Sequence, residues 1–177
     1  MGEQIRQVHE AGPHGTREEH GGRLFSKREG PMTLEELEKR VRAMEDLEEI
    51  KKLQRRYMDH LDRLEFREAM EMFAEDATAE VRNSGVRRGR KEIEEIYLGI
   101  LAKRTERHDG HMVGQPIISV DGETARGTWM VYMLFSKPSV QWVQGRHECE
   151  YVKENGQWKF KMLKFTRTLA SEPSEYP

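Results

Sequence analysis

The chain has 177 residues, enough for one domain with a substantial core and too few for two ordinary ones. Its 30 Lys and Arg against 32 Asp and Glu leave a formal charge of -2, so no strong field favours nucleic acid or an acidic membrane surface. One cysteine, Cys149, excludes an internal disulfide and a cysteine-built zinc site, and no run approaches the roughly 20 apolar residues of a membrane span.

Residues 1–31 carry glycine, histidine and charge with scarcely any apolar periodicity, so they are expected to form a flexible N-terminal arm. They lack the apolar core of a secretory signal, and a cytoplasmic protein is expected. His9, His14 and His20 match no metal-ligand spacing and read as solvated tail histidines. Thr33 and Glu36 make a capping box, with Met32 and Leu37 as its hydrophobic staple. The stripe Leu34, Leu37, Val41, Met44, Leu47, Ile50, Leu53, Tyr57, Leu61 and Leu64 predicts helix from about 34 to 64. Asp46 and Glu49 form a second capping box, which leaves open one long helix or two joined near Glu45.

A short helical turn follows over 69–73, then a strand over 78–82 and a turn at Asn83-Ser84-Gly85. Ile93, Ile96, Tyr97, Ile100 and Leu101 predict a third helix from Lys91. Beyond Arg107 the period changes to two. Segments 113–120, 125–135, 142–153 and 158–168 read as strands separated by Asp121-Gly122, Lys137-Pro138 and Asn155-Gly156. Helices first and a meander afterwards is an α+β order, expected to give a curved antiparallel sheet wrapped around about three N-terminal helices, with a pocket at its open end. No βαβ alternation, glycine-rich phosphate loop or internal repeat is present.

This order carries a set of local signatures: 47-LEEIKKL-53, Arg56-Tyr57, Leu61-Asp62, 73-FAEDA-77, 89-GRKEI-93, His111, 118-ISVDGETA-125, Trp129 and 155-NGQWK-159. Together they resemble the SnoaL-like family of the nuclear-transport-factor-like superfamily, in its bile-acid dehydratase and scytalone dehydratase branch, over about residues 46–168. The resemblance implies a cone-shaped α+β barrel over 32–170, with 171–177 as a tail. It also implies a pocket surrounded by Tyr57, Asp62, His111 and Arg167. Four residues after Trp129 the bile-acid enzymes have an aspartate; Met133 stands there in this chain. That departure points away from the same substrate.

The residue chemistry fits proton transfer. Neutral histidine suits removal of a proton from carbon near neutral pH, and His111 is the candidate base. A carboxylate on its other nitrogen, assigned to Asp62, would fix the tautomer and stabilise the imidazolium. Tyr57 is expected to assist the leaving group, Arg167 to anchor the substrate, and Trp129 and Met133 to line the pocket with it. His147 shares a strand face with Cys149 and Tyr151 and is a second candidate base; scytalone dehydratases are similar in using two histidines. Spacing alone favours a rival: Tyr57 and Asp62 lie roughly 140° apart on a straight helix, whereas His60 shares the Tyr57 face. Cys149 reads as a small core residue.

The expected activity is a cofactor-independent lyase acting on a hydrophobic aromatic or polycyclic alcohol, by loss of water or retro-aldol release of a small aldehyde. An isomerase or cyclase, or a non-catalytic binding module, are the alternatives. No cofactor, metal, nucleic acid or membrane partner is expected. Apolar residues on both faces of the last strand, Trp158, Phe160 and Met162 against Leu163 and Phe165, suggest a homo-oligomer, trimer or dimer.

Overall fold

A computed structural model describes residues 31–81, 85–104, 109–136 and 140–171. The expected arm, the turn at Asn83-Ser84 and almost all of the expected tail lie outside the described residues. Helix α1 (Leu34–Asp62) is one unbroken element of 29 residues. Asp46 is not a cap within it: its Oδ1 accepts bonds from Lys153 Nζ at 2.6 Å and Trp158 Nε1 at 2.9 Å. Burial alone would raise its pKa, but these two donors hold the carboxylate below its usual range. Asp46 thus ties the helix to the β5–β6 hairpin described below.

The end of α1 decides where the site lies. Leu64 adopts φ +62°, Glu65 N donates to His60 O at 2.8 Å, and Leu64 N donates to Leu61 O at 3.1 Å. This is a Schellman stop with leucine in the left-handed position usually taken by glycine. It makes Asp62 the last residue of the helix. Helix α2 (Phe66–Glu71) then leads into β1 (Phe73–Glu80) and the two-residue β2 (Arg87–Arg88). The expected helical turn over 69–73 is therefore shifted, and the strand starts five residues before the expected Thr78. Pairing of Phe73 with Phe160 overrides the weak strand propensity of the Ala-Glu-Asp stretch, which a register shift accommodates.

Helix α3 (Gly89–Glu94) runs into a π-helical segment (Glu95–Leu101) and α4 (Ala102–Arg104), together forming the expected third helix. The four predicted C-terminal strands are β3 (Gly110–Asp121), β4 (Thr124–Phe135), β5 (Gln141–Glu154) and β6 (Gln157–Ala170). Asn155 and Gly156 both have positive φ, at 52° and 77°, as the tight turn between Glu154 and Gln157 requires.

The six strands among the described residues form one curved, unclosed sheet in the order β2-β1-β6-β5-β4-β3. It is mixed rather than wholly antiparallel, because β1 lies parallel to β6. No hairpin joins these two strands, so nothing in the connection imposes an antiparallel sense. The apolar stripe of α1 (Ile50, Tyr57, Met58 and Leu61) is buried in the core, where α1 contacts β3 and β6. Phe160 sits at the centre of an aromatic cluster, with ring centroids 5.3 Å from Tyr57, 5.1 Å from Phe73 and 5.4 Å from Tyr151. Each such ring contributes about 1.5–3 kcal/mol through burial.

One sequence inference is corrected by a bulge. Tyr151 pairs with Phe160 and Glu150 with Met162, so Lys161 is the extra residue in β6. The insertion reverses the alternation of side chains. Trp158 and Phe160 before it and Leu163 after it are all buried, so the last strand does not offer one apolar face to a partner and another to the core.

Candidate functional site

A small pocket lies between the C-terminal part of α1, the start of β3, the facing strands β4, β5 and β6, and the end of the π-helical segment. Its walls are Tyr57, Met58, Leu61, Val81, Leu101, His111, Met133, His147 and Phe165. It encloses about 30 Å³, room for about one water. Six of its nine residues are aliphatic, thioether or phenyl; its only titratable groups are two histidines and a tyrosine.

His111 is the second residue of β3 and only 7% exposed at its side chain. Asp62 Oδ1 accepts from both its backbone N–H at 3.0 Å and its Nδ1 at 2.7 Å. Bound this way, neutral His111 carries its proton on Nδ1 and leaves Nε2 as an acceptor. A carboxylate at the C-terminal end of a long helix works against the helix dipole, so helix stability does not account for Asp62. The two bonds to His111 do.

The buried stripe of α1 points along Gln54, Tyr57, Met58 and Leu61, and Asp62 and His60 flank it on opposite sides by about 100° each. Asp62 reaches His111 from outside the pocket while Tyr57 reaches in. His60 turns the other way, bonding Glu65 at 2.8 Å beside an open groove of about 960 Å³ whose walls are mostly charged. The rival base is therefore not in the pocket.

Tyr57 is buried, and its hydroxyl lies 2.6 Å from that of Tyr97 in the π-helical segment. Burial, and then the neighbouring Tyr57, push the Tyr97 phenol well above its ordinary pKa, so Tyr97 stays protonated. Met133 is one of the pocket walls. Trp129 is buried but is not among the pocket residues, donating from Nε1 to the Tyr151 hydroxyl at 2.8 Å. Arg167 is exposed, two residues beyond Phe165 on β6, and is not among the pocket residues. Tyr132 and Trp142 are exposed, because Met133 on β4 and Val143 on β5 take the inward direction.

His147, Cys149 and Tyr151 do share the buried face of β5. Burial drives the Cys149 thiol up to about 12, which marks it as a core residue. His147 packs edge-on against Phe165, with centroids 5.7 Å apart. Its Nδ1 lies 2.9 Å from Gln54 Nε2. Gln54 is fully buried on α1, and sequence reasoning passed over it. The available signal was a polar residue in a core position of the stripe, four after Ile50 and three before Tyr57.

Burial, with a contribution from His111, lowers the His147 pKa from 6.5 to about 3. The unfolded chain protonates this histidine below about pH 6.5, whereas the folded chain resists until about pH 3. Stability therefore falls as pH is lowered through that window, by up to about 1.4 kcal/mol per pH unit from this group. Urea unfolding of His147→Gln between pH 4 and 7 should show a pH slope one proton smaller than the wild type. An identical slope would show that His147 is not held neutral.

Among the described residues, no helix is long and apolar enough to cross a membrane, and no three His, Cys, Asp or Glu converge as metal ligands. The family profile for the SnoaL-like domain matches residues 42–164. No functionally curated protein matches the chain in sequence. Solved structures do. A scytalone dehydratase-like protein of Novosphingobium aromaticivorans DSM 12444 is similar at 21% identity and a TM-score of 0.66, covering 74% of this chain and 89% of its own. An NTF2-like protein with a cystatin-like fold, also from Novosphingobium aromaticivorans, gives 20% and 0.66 over 82% and 95%. A hexachlorocyclohexane dehydrochlorinase of Novosphingobium barchaimii LL02 gives 16% and 0.64 over 72% and 90%. At these identities the likenesses establish the fold. With its helices, its curved mixed sheet and a profile match over most of its length, the chain belongs to the SnoaL-like family.

Proposed function

We propose that this protein is a cofactor-independent lyase that removes a proton and a neighbouring leaving group, water in the first instance, from a hydrophobic ring-bearing alcohol. The observation that carries the reading is the His111–Asp62 dyad, with His111 in the wall of a mostly apolar pocket. His111 Nε2 takes the proton from carbon, the freed electron pair forms the double bond, and the adjacent carbon–oxygen bond breaks. The proton then passes from His111 to the departing hydroxide, so water leaves and the histidine is restored. Asp62 holds the ring and stabilises its charged form; Tyr57 supplies a hydroxyl beside the breaking bond. Retro-aldol cleavage uses the same base on a hydroxyl proton. Met58 and Met133, whose unbranched thioethers repack at low cost, are the residues that yield volume to a ring.

The test is mass-resolved turnover of hydroxylated aromatic and alicyclic compounds without added metal or nucleotide. Halogenated rings belong in the panel, since a structural neighbour is a dehydrochlorinase. Loss of water, hydrogen halide or a small aldehyde is expected, reduced about 10²–10⁴-fold in His111→Ala. Equal turnover in the variant would remove His111 from the mechanism. A product of unchanged mass would select an isomerase, and saturable binding without turnover a binding module.

The proposal includes self-association as a trimer or dimer. Met112, Tyr132, Leu134, Trp142 and Leu169 are exposed along neighbouring strands, and Met112 pairs directly with Tyr132 and Leu134 with Trp142. A patch of this kind marks a contact surface. Light scattering should give a mass two or three times the chain's 20.8 kDa, and a monomer would end this part of the reading.

A further inference from the structure

The second histidine of the pocket is held by a chain of hydrogen bonds whose direction can be worked out from donor chemistry. Trp129 Nε1 can only donate, and it donates to the Tyr151 hydroxyl at 2.8 Å. Tyr151 in turn donates to Gln54 Oε1 at 3.3 Å, and the Cys149 thiol points at the same oxygen from 3.8 Å. Reversing the Gln54 amide would set its NH₂ against a hydroxyl and a thiol that both need an acceptor. The amide therefore turns Nε2 towards His147, 2.9 Å from Nδ1. An NH₂ group donates, so Nδ1 must be bare and the His147 proton must sit on Nε2, the nitrogen facing away from Gln54.

We propose that Gln54 is a positioning residue that locks His147 as an Nε2–H donor, so that the pocket holds two histidines of opposite polarity. His111, oriented by Asp62, offers a bare nitrogen; His147, oriented by Gln54, offers an N–H. Such a pair recognises a substrate with an acidic C–H near one histidine and a hydrogen-bond-accepting oxygen, carbonyl or hydroxyl, near the other. This rests on the lyase reading for its chemistry but not for its geometry. His147 is buried among Phe165, Tyr57 and Gln54, so its donor is fixed before any substrate arrives.

The experiment reads the tautomers directly, without substrate, by two-bond ¹H–¹⁵N NMR of histidine-labelled protein at neutral pH, assigned with His111→Asn and His147→Asn. The wild type should show His147 protonated on Nε2 and His111 on Nδ1. Gln54→Met, similar in length but without hydrogen bonds, should convert His147 to a mixture while leaving His111 unchanged. Tyr151→Phe, a milder change that releases Gln54 Oε1, should move His147 in the same direction and serves if Gln54→Met does not fold. A wild-type His147 protonated on Nδ1, or a pattern untouched by both variants, would overturn the lock. If the tautomers are as stated and no compound turns over, the lyase reading fails while the lock stands. With an active substrate, Gln54→Met should lower kcat about 10²-fold, the cost of disturbing one preorganised donor, with KM little changed.

Discussion

Replacing Asp62 with asparagine is expected to lower kcat by about 10²–10⁴-fold while the protein stays folded and KM changes little. Asparagine has the shape of aspartate and can still accept the His111 backbone N–H that Asp62 holds at 3.0 Å. It carries no charge to balance an imidazolium, and its NH₂ can turn the ring to the other tautomer, which hides the accepting nitrogen from the pocket. Asp62 lies outside the pocket wall, so the loss should fall on the chemical step and not on binding. Combining Asp62→Asn with His111→Ala should cost hardly more than His111→Ala alone, because the two residues act as one unit. Additive losses in that pair, or an Asp62→Asn enzyme as fast as the wild type, would break the dyad.

The second large effect concerns stability. A Cβ at Gly145, in β5, would overlap the outer edge of the Phe165 ring and come within 2.7 Å of the Thr166 carbonyl oxygen. The ring cannot simply retreat, because its other side packs against His147 and lines the pocket. The carbonyl belongs to the backbone of the adjacent strand, where relief means moving a ladder. Gly145→Ala should therefore destabilise the fold by about 2–3 kcal/mol, or about 6–10 °C in Tm. It should also disturb the pocket. Adding Phe165→Leu in the same chain should recover part of the loss, since the shorter side chain clears the new methyl group. A Gly145→Ala protein with unchanged Tm would show that this close approach does not exist.

The four C-terminal strands were legible because alternation and two-residue turns are local signals, and Asn155-Gly156 marks its turn by itself. The long helix was legible from its stripe, although the second capping box at Asp46 left its continuity open; that carboxylate serves Lys153 and Trp158, more than 100 residues away. What stayed hidden depends on distant partners. The parallel pairing of β1 could not be read from an alanine-rich segment with three acids, and the bulge at Lys161 made a one-sided strand look two-sided. In the site, His111 and Asp62 came from the family resemblance, while helix geometry favoured His60. That geometry was sound, but it assumed that site residues share a face. Asp62 instead grips His111 from the flank, just where the helix stops. Arg167 shows the opposite case: the family resemblance placed it beside the pocket, yet it stands exposed near the strand's end.

The position of β1 between β2 and β6 has a consequence for how the chain assembles. The strands β3 to β6 follow one another as neighbours in both sequence and space, so they can zip together as they emerge during synthesis. β1 is made early, yet its long partner, β6, is the last of the described strands. Until residues beyond 160 are available, this early strand has only the two residues of β2 beside it. The loop that must close to join them spans about half the chain, so completion of the sheet is a late, non-local event rather than the end of a local zipper.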